Sequence, residues 1–308
     1  MTSTFWFFGV STAESAMQRI YPRWMDELGI DSRLVGVDFP LDAPAAAYRS
    51  AVERVIDEPG SIGGLITTHK LNVLAAAGDL FADLDDSARL LHEVSCLAVR
   101  DGVLHGAALD DRTSRLALES LIPDGHWERG GELLLLGAGG ASIATTLGLH
   151  RAASEGRRIP ARIHVTARSP QRLEEMRALH EEIGFPIPVV AHVTDDAREA
   201  DAVVAGLPPA SVLVNATGMG KDRPGSPLTD DVEYPLGSII WDMNYRGPRL
   251  FLTQAEARRA ERELTVEDGW DYFVYSWTSV VAEVHGIDIP ARGELFTRLS
   301  DIARSAIA

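Results

Sequence analysis

Residues 131–146 read GELLLLGAGGASIATT. Four consecutive leucines, Leu133 to Leu136, are far too few for a membrane helix and suit a strand buried on both faces. Gly137, Ala138, Gly139, Gly140 and Ala141 follow, then an apolar run compatible with a helix. A strand that turns through glycines into a helix leaves backbone N–H groups and the helix's positive end facing outward. A pyrophosphate fits there, since no Cβ holds it off the backbone. Ser142 stands where the usual fingerprint has its third glycine. A tight strand–helix turn without a ligand is the plainer reading, and it stays open at this point.

The next strand and its exit bear on which nucleotide. It reads ARIHVTARSPQR. Dinucleotide folds that prefer NAD place an acid at its end to bind the ribose 2′-hydroxyl. No acid stands there; the strand ends in Arg168 and Ser169, with Arg172 one helical turn on. Two guanidinium groups and a hydroxyl suit a 2′-phosphate, so the expected cofactor is NADP. The bland alternative is a solvated basic helix start, which is mildly unfavourable for the helix dipole.

With 308 residues the chain is long enough for two domains with separate cores. A hydrophobic fraction of 45% and a charged fraction of 24% describe an ordinary globular protein. The net charge of −16 argues against nucleic acid or an anionic membrane as partner. Cys96 is the one cysteine, and the nine histidines show no ligand-like spacing, so neither disulfides nor a metal site is expected. The start, MTSTFWFFGVSTAES, lacks a basic region and has too short an apolar run for a signal peptide. The expected setting is the cytoplasm, with a small molecule as partner and a monomer or homodimer as the working form.

Read in order, the first third alternates strand and helix. Strands are expected at residues 4–10, 34–39 and 64–67; helices at 16–28, where Pro22 starts or kinks the segment, and at 45–56 after Pro44. Helical stretches follow at 71–77 and 84–94, a hairpin at 95–108 about an Arg-Asp-Gly turn, and a helix at 110–121. The polar stretch 123–131 looks like a linker. Further strands are expected near 188–192, 212–215 and 239–243, and helices at 270–285 and 291–303. The pattern is α/β, with a Rossmann-like domain expected at 114–267.

Six pieces in order then resemble the shikimate dehydrogenase superfamily: THK at Lys70, LHGAALDD, LLLLGAGGA, TARS, VNATGMG and IIWDMNYRGP. VEDGWDYFVYSW stands where that family has its glycine-led last motif. The resemblance spans nearly the whole chain. It implies an N-terminal substrate-binding domain at 1–113, completed by 268–308, a Rossmann-like NADP domain, C-terminal helices folding back onto the first domain, and an active site in the cleft between domains. It also implies that Lys70 and Asp110 share acid–base work while hydride moves between a ring carbinol and the nicotinamide. Independently of any name, oxidising an alcohol needs a base near its proton, and a lysine coupled to a carboxylate can serve. Taken singly, Lys70 could be an exposed helix-start lysine and Asp110 a helix N-cap.

The resemblance further assigns Asn215, Thr217, Gly218, Met243 and Gly269 to the cofactor's ribose and nicotinamide side. Tyr245 is placed near the substrate. The family's polar substrate contacts fall on Ser15, Met17, Gly64, Ile66, Ser95, Ala108 and Ser276, so several hydrogen-bonding groups are lost. Each hydroxyl left unpaired costs about 1–3 kcal/mol, which argues against shikimate itself. Tyr21, Trp24, Tyr275 and Trp277 read more as core than as pocket, and His69 as a surface residue. The expected function is an NADP-dependent alcohol dehydrogenase acting on a small cyclic hydroxy or keto acid. The alternatives are a catalytically silent NADP-binding protein and a methylene-tetrahydrofolate-type dehydrogenase.

Overall fold

The computed structural model describes residues 2–220 and 223–307, so the outermost domain limits, 1 and 308, lie outside the described residues. The chain forms two compact units. One runs from the N-terminus to Asp110 and resumes at Val274; the other is Asp111–Phe273. Both divisions fall inside helices. The stretch 123–131, expected as a linker, instead holds a 3-10 turn at His126–Arg129.

The first unit is built from β1 (Ser3–Gly9), α1 (Met17–Leu28), β2 (Ser32–Asp38), α2 (Ala45–Asp57) and β3 (Ser61–Ile66). After these come α3 (Lys70–Ala77), β4 (Asp83–Leu84), α4 (Asp86–Leu91), β5 (Cys96–Arg100) and β6 (Val103–Ala107). Its sheet runs β2-β1-β3-β5-β6-β4. β1 is parallel to β2 and β3, while β5 is antiparallel to β3 and β6. The FWFF run of β1 is buried throughout because both faces are covered. Trp6 and Phe8 join Val52, Val55, Ile66 and Val73 on one side; Phe5 meets Tyr21 at 5.0 Å between ring centroids on the other. Pro22 lies within α1 without ending it. The helix expected over 84–94 is shorter: Leu84 belongs to β4, and extended Asp85 caps α4 by accepting from the Ala88 N–H at 2.7 Å.

Helix α5 (Asp110–Leu121) leads into the second unit. There β7 (Leu133–Leu136), α6 (Gly140–Ser154), β8 (Ile163–Ala167), α7 (Pro170–Glu182), β9 (Val189–Val193), α8 (Ala197–Ala205), β10 (Val212–Asn215), β11 (Ile239–Asp242), α9 (Leu250–Arg262) and β12 (Thr265–Glu267) follow. All neighbouring strands are parallel, in the order β12-β11-β10-β7-β8-β9. This is the Rossmann arrangement, with the order reversing between β7 and β10, the place where such sheets hold ligands. β7, β10 and β11 are buried at every position, which is why they read as unbroken apolar runs.

The chain then returns to the first unit through α10 (Trp270–His285) and α11 (Glu294–Ile307). α11 begins later than residue 291 because Gly293 takes φ 99°, outside the helical region. It packs on α1, where Trp24 Nε1 donates to the Leu299 carbonyl at 2.8 Å and Arg298 pairs with Glu27 at 2.7 Å. From α10, Trp277 meets Phe7 edge-on at 5.0 Å. Tyr21, Trp24, Tyr275 and Trp277 are all core residues, each 5% exposed or less.

Candidate active site

Lys70 is the first residue of α3, and the turn that presents it is anchored at both ends. Thr67 ties back to β1 through its N–H and hydroxyl, both donating to the Phe8 carbonyl at 3.0 and 3.1 Å. His69 is not the surface residue expected; it is 2% exposed. Its Nε2 faces the Phe39 carbonyl at 3.1 Å, and a carbonyl only accepts, so Nε2 carries the proton. Nδ1 lies 2.9 Å from the Tyr48 hydroxyl. An imidazole bonded at both nitrogens therefore holds the peptide ahead of Lys70.

Asp110, the first residue of α5, is presented in a similar way. The N–H of Ala108 donates to Asp85 Oδ1 at 3.1 Å, and that of Leu109 to Ser95 Oγ at 2.9 Å. Across this frame Lys70 Nζ donates to Asp110 Oδ2 in an ion pair whose side chains keep 18% and 22% of their exposure. Burial alone would push the Lys70 ammonium down. Attraction to Asp110 and Glu93 and the bond to Asp110 outweigh it, leaving Lys70 above the ordinary lysine value. The resting pair is ammonium with carboxylate, mostly out of water yet reachable, an arrangement able to pass a proton to or from an oxygen beside it.

The residues expected around a substrate are placed differently from one another. Met17 is fully buried and Ile66 is 1% exposed within the core, so neither side chain is open to a ligand. Ser95 is 3% exposed, and its hydroxyl serves the Leu109 N–H and faces the Ala107 carbonyl at 3.5 Å. Through Leu109 it braces the backbone ahead of Asp110. Ser15 is half-buried, accepting from the Met17 N–H at 3.3 Å, and Ser276 is half-buried on α10. Tyr245, in the second unit, is half-buried and stacks on Phe273 at 4.3 Å.

In the second unit the glycine turn divides by role. Gly137 has φ 105°, and a Cβ there would press on Ala216 and Thr217 at 3.1–3.3 Å, so the fold itself requires that glycine. At Gly139 and Gly140 a Cβ would meet nothing within 4 Å, and neither has a positive φ. The protein's own packing gives no reason for glycine there, whereas close approach of a phosphate does. Ser142, in place of the third glycine, is fully buried and donates to the Gly137 carbonyl at 2.6 Å, closing the turn. Ala138 is 5% exposed beneath it, and Ala141 is half-buried. Arg168, Ser169 and Arg172 are all exposed at the start of α7. Arg172 pairs with Glu175 at 2.9 Å, while Arg168 makes no ion pair among the described residues.

Beside the turn, the end of β10 is organised by Asp242, a residue the sequence reading passed over. Asp242 is fully buried. Its Oδ1 accepts from Asn215 Nδ2 (3.1 Å), Asn244 N (3.0 Å) and Asn244 Nδ2 (2.8 Å), while Oδ2 has no hydrogen-bond partner among the described residues. Asn215 and Asn244 also both donate to the Met219 carbonyl, at 3.2 and 3.0 Å. Asn215 Oδ1 in turn accepts from the Thr217 hydroxyl at 2.6 Å. Burial raises the Asp242 carboxyl to about 6 despite these donors. The signal was available: an acid closes the apolar run IIWD. Gly218 has φ 72° in the loop this network shapes. Met243 is half-buried and bonds through its N–H to the Asn215 carbonyl at 3.2 Å. A Cβ on Gly269 would overlap the Met243 carbonyl, so packing alone accounts for that glycine.

Among the described residues there is no group of three or more side chains suited to a metal ion, and no helix is long and apolar enough to cross a membrane.

No family model matches the chain. A shikimate dehydrogenase (NADP(+)) from Xanthomonas euvesicatoria pv. vesicatoria is 30% identical over 291 residues, covering 91% of this chain and 89% of the relative. Among solved structures, shikimate 5-dehydrogenase from Thermus thermophilus, in complex with NADP(H) and shikimate, superposes with TM-score 0.71. It is 23% identical and covers 99% of both chains. Quinate dehydrogenase from Corynebacterium glutamicum in complex with NAD gives TM-score 0.74 at 17% identity, covering 99% of both. These two establish the fold alone, since it carries different substrates and cofactors. The alignment to the Xanthomonas enzyme, running almost from end to end, places the chain in the shikimate dehydrogenase family.

Proposed function

We propose that the chain is an NADP-dependent oxidoreductase that transfers hydride between NADP(H) and a small cyclic hydroxy or keto acid. The observation that carries this reading is the Lys70–Asp110 ion pair, held by His69, Ser95 and Asp85, in a chain of this family. Lys70 and Asp110 act as the acid–base pair. Because Lys70 rests as an ammonium, it is ready to protonate a ketone oxygen; in the reverse direction the pair takes the alcohol proton.

The second unit fits NADP. Gly137 to Ala141 hold the pyrophosphate against the α6 N-terminus, and Arg168, Ser169 and Arg172 take the 2′-phosphate. Asn215, Thr217, Gly218 and Met243 line the nicotinamide side, kept in place by Asp242. Bound NADP(H) supplies the hydride or accepts it. Ser15, Ser276 and Tyr245 contact the substrate. Met17 and Ile66, turned into the core, supply no donor or acceptor at positions where the family's polar substrate contacts fall, so the substrate carries fewer hydroxyls than shikimate.

A panel of cyclic hydroxy acids with NADP+, and of keto acids with NADPH, tests the reading by the absorbance of the reduced cofactor. A cyclic acid should turn over, with shikimate well below kcat/KM of about 10⁵ M⁻¹s⁻¹. NADP binding without turnover of any member would favour a silent binding protein. Turnover of methylene-tetrahydrofolate with none of alcohols would replace the reading altogether.

A further inference from the structure

Away from both regions, the second unit contains a cavity of about 510 Å³ under α7. Its origin is topological. β9 is the last strand of the sheet, so α7 covers β8 and only part of β9. Val165 of β8 and Val189, Ala191 and Val193 of β9 share one sheet face, as their pairing in register requires, and form the floor. Leu173, Met176 and His180 of α7 form the wall, and Phe185 and Ile187 close one end. The volume is that of an ordinary small-molecule site.

His180 gives this apolar lining a direction. It is 7% exposed and stacks on Phe185 at 4.3 Å. Its Nε2 meets the Thr146 hydroxyl at 2.9 Å. That hydroxyl already donates to the Ile143 carbonyl at 2.9 Å, so it can only accept from the ring. Nε2 therefore carries the proton, and Nδ1 is left as a lone-pair acceptor with no partner among the described residues. Burial, helped by nearby His150, holds the ring at about 4, so it stays neutral at pH 7. Glu174, Arg177 and Glu181 line the site's rim as well; one guanidinium faces two carboxylates there, and the excess negative charge disfavours an anionic ligand.

We propose that this cavity is a second ligand site, for a neutral apolar ring compound bearing one hydrogen-bond donor, with the donor placed on His180 Nδ1. A hydroxyl or ring N–H meets the requirement; a carboxylate or phosphate does not, because the acceptor cannot pair with an anion and the lining cannot solvate one. The site is separate from the glycine turn, yet Pro170 lines it just beyond Arg168 and Ser169.

The probes are 2-naphthol and 2-methoxynaphthalene, similar in shape but with and without the donor, titrated into the full chain while methyl resonances of Met176 and Ile187 are followed. 2-Naphthol is expected to shift both resonances and to bind about tenfold more tightly than its ether, the size of one net hydrogen bond. Ala191→Trp fills the floor from an exposed position and should abolish these shifts while leaving the melting temperature unchanged. His180→Phe keeps the volume and should remove the preference for naphthol. Equal affinity for the two probes, unshifted Met176 and Ile187 resonances, or undiminished binding to Ala191→Trp would each overturn the proposal.

Discussion

Around Lys70 the protein's own groups occupy nearly every polar position, whereas around Gly139 and Gly140 the chain leaves space. His69 is bonded at both nitrogens, and Ser95 and Asp85 hold the two peptides ahead of Asp110. The glycine turn presents bare backbone and, nearby, exposed guanidinium groups. On the proposed function, one region positions a proton-transfer pair by internal bracing and the other stays open for a large anionic partner. Rigidity serves the first because acid–base work depends on sub-ångström placement. Openness serves the second because affinity there comes from the ligand's own charges.

The largest effect expected is from Lys70→Ala, which should lower kcat about 10³-fold while leaving NADP affinity unchanged. Comparable loss of both would erase the division between bracing and binding. Next comes Asp242→Asn. The carboxyl is raised to about 6 from 3.8, so its contribution to stability is full below pH 3.8 and is lost as pH rises through 6. The stability difference between variant and wild type should therefore move by on the order of 3 kcal/mol in the variant's favour between pH 4 and pH 8. Chemical denaturation at the two pH values measures it, and a flat difference would show that Asp242 is not buried as a charge.

Arg168→Ala should weaken NADP by about 2 kcal/mol in a calorimetric titration and leave NAD almost untouched. Equal wild-type affinity for the two nucleotides would refute the 2′-phosphate assignment. The smallest change is expected from Ser95→Ala, which leaves the Leu109 N–H without its acceptor and should cost about 1 kcal/mol of stability. If Ser95 braces rather than binds, kcat falls with KM unchanged; a rise in KM alone would return it to the substrate.

How much of this could be read in the sequence follows the same contrast. β10 and α10 agree with the sequence reading residue for residue, because a strand buried on both faces reads as a short unbroken apolar run and a long packed helix as an extended apolar stretch. Helices α8 and α9 and the three-residue strand β12 escaped it. α9 buries only Phe251, Leu252 and Ala255 and starts after Arg249 in a left-handed conformation without a side-chain cap, so neither pattern nor cap announces it. The glycine turn was legible because its chemistry lies in consecutive residues. The surroundings of Lys70 were not, since whether Met17, Ile66 or His69 faces a ligand or the core depends on elements far away in the chain.

The division of the first unit by Asp111–Phe273 bears on the order in which the protein is made. Tyr21 and Trp24 on α1 are fully buried, and the Trp24 indole finds its acceptor at Leu299, 275 residues later. At roughly 5–20 residues per second of synthesis, the strands of the first unit wait on the order of ten to thirty seconds for α10 and α11. During that interval the second unit, continuous in sequence, can fold completely. The nascent chain thus carries a finished Rossmann sheet beside an open aromatic face, the stage at which it most needs a chaperone and in which truncation ahead of α10 would leave it.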